Sequence, residues 1–325
     1  MRILLNRVSG LGDVLILTSV IKVLRQLGHT VALRTNHLEL VLGNKDIRRV
    51  IPVQIPLQRC IQTGDYEKVV DFDFCVESSL VHPGRGQASE RDYMNVPRID
   101  LFFKWAGLDP NCYSGLVYRV TDGERKWARK VLRRFKGNGR PSIVWVLNST
   151  SPYRTYPVRY SIQVIRELVK EWNVIVVGTV KEIWGLSHPF TVQYLHEIQD
   201  LDPNHFLDYT GKTSVRELIA LVAVSDLVIT PDTSAVHISN AVETPCVALF
   251  GNIHPELRCN RYPNVHPVFS CPPCLCGDRY EVIKEQCMSW EEIESPTIRR
   301  IGARCMEMIP PEEVTEVVQK ILSRR

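Results

Sequence analysis

Between Asp226 and Gly251 the chain reads DLVITPDTSAVHISNAVETPCVALFG: two short apolar runs, Leu227–Thr230 and Val247–Phe250, separated by a helical segment. A strand–helix–strand unit of this kind builds an open α/β sheet, whose ligands lie beyond the carboxyl ends of its strands. The helix opens at Asp232-Thr233-Ser234, with His237 one turn on. Backbone N–H groups at a helix start are unpaired and carry partial positive charge, which suits phosphate. Asp232 and Thr233 are equally the residue types that cap helices. The segment by itself leaves both readings open.

The same alternation runs through the whole chain. In the first part, strands are expected at Arg2–Arg7, Thr30–Arg34, Lys68–Phe72 and Val117–Val120. Helices are expected at Asp13–Leu27, Pro97–Gly107 and Glu124–Phe135. Lys136–Pro141 is polar and rich in Gly and Pro, and reads as a linker, which places a boundary between a domain of residues 1–138 and one of residues 139–325. After it the pattern restarts, with strands at Ile143–Leu147, Val174–Val177, Leu227–Thr230 and Val247–Phe250. The helices there fall at Ser161–Trp172, Ser214–Val224, Ala235–Val242 and Pro311–Leu322. The expected fold class is α/β, two Rossmann-like domains whose parallel sheets face a central cleft.

Composition narrows the class. An apolar fraction of 44% and a charged fraction of 23% are those of a soluble globular protein. No apolar run reaches the ~18 residues of a membrane span. MRILLNRVSGLGD has too short an apolar part and no cleavage site for a signal peptide, so a cytoplasmic location is expected. Lys and Arg are concentrated between Arg119 and Arg140; no nucleic-acid-binding signature accompanies them, and the favoured reading is a solvated helix face, with contact to anionic lipid left open.

Ser9-Gly10-Leu11-Gly12-Asp13 lies between the first strand and the first helix. It is half of a dinucleotide fingerprint, but Leu15 occupies the last glycine position and Arg34-Thr35-Asn36 lacks the acid that holds a ribose, which argues against a nicotinamide enzyme. Asp13 is then either a helix-stabilising acid or a general base for a substrate hydroxyl. Ser149-Thr150-Ser151-Pro152-Tyr153-Arg154 follows the first strand of the second domain; its hydroxyls and arginine suit a diphosphate, and a polar connection of no special role fits equally.

Taken in order, these residues resemble the ADP-heptose:lipopolysaccharide heptosyltransferases, glycosyltransferase family nine. The opening Ser9–Asp13 is similar to that family's first motif. Arg154-Thr-Tyr-Pro157 resembles its Lys-x-Trp-Pro, and Gly211-Lys-Thr-Ser214 with Glu217-Leu218 its G-x-T-S-x-x-E-L. Asp232-Thr233-Ser234-Ala235-Val236-His237 resembles D-[ST]-G-x-x-H, with Ser234 in place of glycine. Phe250-Gly251-Asn252 with Pro255 resembles F-G-x-T-x-P, with Ile253 in place of Thr. Cys305-Met306, Ile309, Glu312 and Val314 match its closing motif.

The resemblance implies a GT-B fold and an inverting, metal-independent sugar transfer, of heptose from an ADP-heptose-type donor, to a glycan or protein hydroxyl. The N-terminal domain would bind the acceptor, with Asp13 as the base. The donor would meet Gly12, Ser149, Thr150, Arg154, Thr179, Glu182, Asp232, Thr233, Ser234 and His237, largely on the C-terminal domain. Peripheral contact with the cytoplasmic face of the inner membrane is left open, as is the oligomeric state. Two rivals also stay open: a nucleotide-sugar epimerase or hydrolase on this fold, for which His82, His188 and His196 are available, and a non-catalytic member that binds glycan or partner proteins.

Five of the ten cysteines lie between Cys271 and Cys305. Cys271, Cys274, Cys287 and Cys305, with Cys276 competing, form a thiol set suited to structural zinc or iron. The resemblance extends to a subgroup, active on autotransporter adhesins, that binds iron there. Free buried thiols or disulfides are the alternative.

Overall fold

The computed structural model describes residues 1–77, 84–135, 139–147, 149, 154–179, 197–198, 200–269 and 304–323. The chain divides into two compact units: Met1–Arg119 with Glu256–Arg261, and Val120–Pro255 with Tyr262–Arg325.

The first unit holds strands β1 (Arg2–Asn6), β2 (Thr30–Thr35), β3 (Ile47–Pro52) and β4 (Lys68–Asp71) in one parallel sheet of order β3-β2-β1-β4. Between them run helices α1 (Leu11–Gln26), α2 (Leu38–Val41) and α3 (Leu57–Gln62), and after them come α4 (Glu90–Asn95) and α5 (Arg98–Ala106). The apolar residues of β1 and β2 are buried on both faces, as a parallel sheet covered by helices requires. The carboxyl ends of the strands are tied by one asparagine: Asn6 Nδ2 donates to Asp71 Oδ1 at 2.8 Å and Asp73 Oδ2 at 3.1 Å, and Asn6 Oδ1 accepts from Arg34 Nη1 at 2.8 Å.

The second unit begins with α6 (Asp122–Leu132), followed by β5 (Ser142–Val146), α7 (Val158–Leu168), β6 (Asn173–Val177), β7 (Phe206–Asp208) and α8 (Val215–Val224). Then come β8 (Leu227–Pro231), α9 (Ser234–Ala241), β9 (Cys246–Phe250), β10 (Val265–Phe269), α10 (Arg304–Glu307) and α11 (Pro311–Leu322). Its sheet has the order β10-β9-β8-β5-β6-β7, every pair parallel. The core under it is built on Trp145, Tyr156, Ile165, Leu249, Met306 and Val314, all essentially inaccessible to solvent.

The architecture is the expected α/β one, with several local differences. Val117–Val120 forms no strand: the Val117 N–H is taken by the Thr18 hydroxyl of α1 at 2.9 Å instead of by a neighbouring strand. Strands β3, β7 and β10 were not expected. All three are sheet edges, partly exposed, so their sequences are short or broken by charge, as at Arg48-Arg49, and one carries Pro267, which an edge tolerates. Helix α6 belongs to the second unit, so that unit starts at Val120 ahead of the Gly/Pro stretch and not after residue 138. The reason is packing: α6 lies on α8, buries Ala128 and Val131, and pairs Glu124 with Arg216 Nε. Its cationic side, with Lys126, Arg129, Lys130 and Arg133, is exposed. Among the described residues no helix is long and apolar enough to cross a membrane.

At the end of β9, Gly251 is pressed against the turn of α10. A Cβ there would lie 2.6 Å from Met306 Sδ and 2.8 Å from Cys305 Sγ. The Phe-Gly and Cys-Met motifs, 55 residues apart in sequence (306 minus 251), are therefore two sides of one contact. Gly251→Ala should lower stability by about 1–3 kcal/mol through overpacking, read as a fall in the urea unfolding midpoint; an unchanged midpoint would contradict this contact.

Candidate functional site

In an open parallel sheet, the place where strand order reverses leaves a gap between two neighbouring carboxyl ends, because the loops there turn to opposite sides. In the second unit the chain moves from β5 outward to β6 and β7, and from β8 the other way to β9 and β10. The reversal therefore lies between β5 and β8. In the first unit it lies between β1 and β4. Of the described sequence-predicted residues, Gly12 and Asp13 lie at the reversal of the first unit, and Ser149, Arg154, Asp232, Thr233, Ser234 and His237 at that of the second.

After β5, Ser149 is buried and its N–H donates at 3.2 Å to the hydroxyl of Thr155, the residue that follows Arg154. Tyr156, next in the chain, donates to the Ile309 carbonyl at 2.8 Å. After β8, Asp232 is 4% exposed and its N–H donates to the Leu249 carbonyl at 3.1 Å. Arg154 Nη1 stands 3.4 Å from Asp232 Oδ2, across the reversal point. The cap of α9 is Thr233, whose hydroxyl accepts from the Ala235 N–H at 3.2 Å. Asp232, expected as a cap, does not serve as one, because its carboxylate is turned to Arg154.

Ser234 occupies the first turn of α9 with ordinary negative φ, so a serine fits without backbone strain. His237 is buried, and its Nδ1 lies 2.7 Å from the Tyr262 hydroxyl, with the rings edge to face at 5.6 Å. Thr179 follows β6, half-buried. The Ser214–Glu217 motif is a complete capping box at the start of α8, so its local role is to begin that helix. Thr150, Glu182, Cys271, Cys274, Cys276 and Cys287 lie outside the described residues, as do His82, His188 and His196. Cys305 is buried in the core beside Gly251. Among the described residues, no group of three or more His, Cys, Asp or Glu is arranged to hold a metal ion.

In the first unit, Gly12 and Asp13 lie in the first turn of α1, which starts after Gly10. Asp13 is 8% exposed and is held by two arginines. Arg7 Nη2 donates to Asp13 Oδ2, and Arg98 Nε donates to Asp13 Oδ1 at 2.8 Å. Both arginines also reach Glu77 Oε1, Arg7 at 2.9 Å and Arg98 at 2.8 Å. Arg7 is further fixed by the Phe72 and Ser9 carbonyls at 2.7 and 2.9 Å. Burial opposes the charge on Arg7, but Asp13 and Glu77 outweigh it, so the guanidinium holds its proton more firmly than an exposed arginine does. The result is a quartet of two arginines and two carboxyl groups at the carboxyl ends of β1 and β4, three of them buried and Arg98 partly so.

The family model for glycosyltransferase family 9 (heptosyltransferase) matches residues 88–266, more than half of the chain. The chain belongs to this family. The matched span contains Arg154, Asp232, Thr233 and His237, and also Arg98, while Asp13 precedes it. No curated protein sequence matches. Among solved structures, ADP-heptose LPS heptosyltransferase II of E. coli is similar over 100% of this chain and 99% of its own, with TM-score 0.72 and 15% identity. A family 9 glycosyltransferase from Veillonella parvula is similar over 100% and 97%, with TM-score 0.71 and 16% identity. TibC of enterotoxigenic E. coli, an iron-containing dodecamer solved in complex with ADP-D-β-D-heptose, is similar over 99% and 76%, with TM-score 0.63 and 14% identity. At such identities the likeness is one of fold, and it agrees with the two parallel-sheet units found here. Family 9 membership makes the protein a glycosyltransferase.

Arg7, Glu77, Arg98 and Tyr262 were not legible as site residues. Arg7 and Glu77 each follow a strand flanking the reversal point, a signal that depends on knowing the strand order; Arg98 and Tyr262 carry no local signal. Gly10 has φ +83°, and a Cβ on it would run into the Asp13 carboxylate and lie 3.3 Å from Arg7 Nη2. Gly10→Ala should therefore cost about 1–3 kcal/mol, visible as a lowered melting temperature; a parent-like melting temperature would refute the close approach.

Proposed function

We propose that this family 9 enzyme moves a heptose from ADP-heptose to a hydroxyl of a glycan or protein, with inversion and without a catalytic metal. The observation that carries the reading is the Arg154–Asp232 pair, set at the strand-order reversal of the second unit beside the Thr233-capped start of α9. On this reading the acceptor oxygen bonds to the anomeric carbon as the bond to the diphosphate breaks, and ADP leaves with the electron pair. Arg154 and the N–H groups at the start of α9 stabilise the charge that gathers on the diphosphate. Asp232, Thr233, Ser234 and His237 hold the sugar and phosphates, with Ser149, Thr150, Thr179, Glu182 and Gly12 completing the donor contacts. Asp13 takes the acceptor hydroxyl proton. The ADP-heptose in the TibC complex supports the choice of donor, and the E. coli LPS heptosyltransferase supports a lipopolysaccharide glycan as acceptor. A cytoplasmic protein, in peripheral contact with the inner membrane, goes with that role.

A thermal-shift screen of ADP-, GDP- and UDP-sugars tests the donor, since a ligand that binds the native state raises the melting temperature. ADP compounds should give the largest shift. Arg154→Ala should weaken ADP binding by about tenfold or more, as expected for a lost charged hydrogen bond. Asp13→Asn should keep ADP binding and lower turnover, with ADP-heptose and a lipid A–inner core glycan, by about a hundredfold or more. Normal turnover in Asp13→Asn would remove Asp13 as base, and a preference for UDP- or GDP-sugars would replace the donor.

A structural zinc or iron at Cys271, Cys274, Cys287 and Cys305, with Cys276 competing, is a separate part of the proposal, supported by thiol chemistry and by the iron-containing relative. Metal analysis of the reduced protein should find about one equivalent; less than about a tenth of an equivalent would overturn it.

A further inference from the structure

The quartet around Asp13 holds a second carboxylate, Glu77, beyond a base and the two arginines that orient it. Glu77 and Asp13 compete for the same donors. Arg98 Nη2 lies 2.8 Å from Glu77 Oε1 and 3.3 Å from Asp13 Oδ2, and Arg7 Nη2 lies 2.9 Å from Glu77 Oε1 while also contacting Asp13 Oδ2. A carboxylate that faced two guanidinium groups alone would be a poor proton acceptor, because each nearby cation favours its ionised form. Glu77 places a second anion against the same two cations, so the four groups sum to zero formal charge.

We infer that Glu77 is a positioning residue that sets the basicity of Asp13 by sharing Arg7 and Arg98 with it. The inference rests on the reading of Asp13 as the base. The geometry supports a fixed arrangement. Arg7 is tied to two backbone carbonyls, and Glu77 is buried, its backbone carbonyl accepting from the Ala88 N–H at 2.9 Å. Arg98 comes from the first turn of α5 and is the more exposed of the two arginines, at 13% against 4% of the side chain, which makes it the member able to yield to a substrate. Arg7 after β1 and Arg98 on α5 meet Asp13 directly, and Glu77 after β4 meets both arginines. Cys75, also after β4, lies near the quartet, and burial pushes its thiol well above the usual range, so it stays neutral there.

The test is the titration of the Asp13 carboxyl carbon by NMR in aspartate-labelled protein, assigned by its loss in Asp13→Asn. Glu77→Gln should lower the midpoint by about one pH unit, and Arg98→Gln should raise it by a similar amount. The double variant should return it close to the parent value, and Glu77→Asp should leave it there. A structural role alone would not drive the two single variants in opposite directions. If Glu77→Gln does not fold, because a buried cation has lost its partner, the step from Arg98→Gln to the double variant measures the same effect and must lower the midpoint. Midpoints that stay still, or that move the same way in both single variants, overturn the inference. The titration reads charge sharing whether or not Asp13 is the base, which the turnover of Asp13→Asn decides separately.

Discussion

Strands that run parallel and are buried on both faces cannot be joined by hairpins, and the rest of this molecule depends on that constraint. Each connection must cross over the sheet, so every strand delivers its carboxyl end to the same edge. Where the order turns, two adjacent ends send their loops apart and leave a gap. Here the gaps fall between β1 and β4 and between β5 and β8. Both carry charged side chains just beyond central strands that are themselves largely apolar.

The two gaps use charge differently. At the second, Arg154 and Asp232 stand 3.4 Å apart beside a helix start. At the first, Arg7, Asp13 and Glu77 are buried and cross-linked, with the partly buried Arg98 joined to both carboxyl groups. Such a cluster is a poor device for stability, because taking charges out of water offsets most of their attraction. It stands at a strand-order reversal, the place where open parallel sheets hold their ligands. Gly10, which leaves room for the Asp13 carboxylate, shows how closely the backbone has to fit around it.

Much of this was legible in the residues. The apolar runs of β1, β2, β5, β6, β8 and β9 stand out because central parallel strands are buried on both faces. Edge strands β3, β7 and β10 did not, since half-exposed strands need no continuous apolar run. Asp13, Arg154 and Asp232 were singled out because they sit beyond such runs, and the structure sets them at the two strand-order reversals. Asp232 and Thr233 are both capping types, and the structure gives the cap of α9 to Thr233.

The sequence by itself determined the α/β class and membership of the heptosyltransferase family, because these follow from local periodicity and from short motifs in order. Only the tertiary structure decided that α6 joins the second unit, that Gly251 meets Cys305 and Met306, and that Glu77 and Arg98 close around Asp13. Those residues lie tens of positions apart, and what brings them together is strand order and burial, which no local pattern encodes.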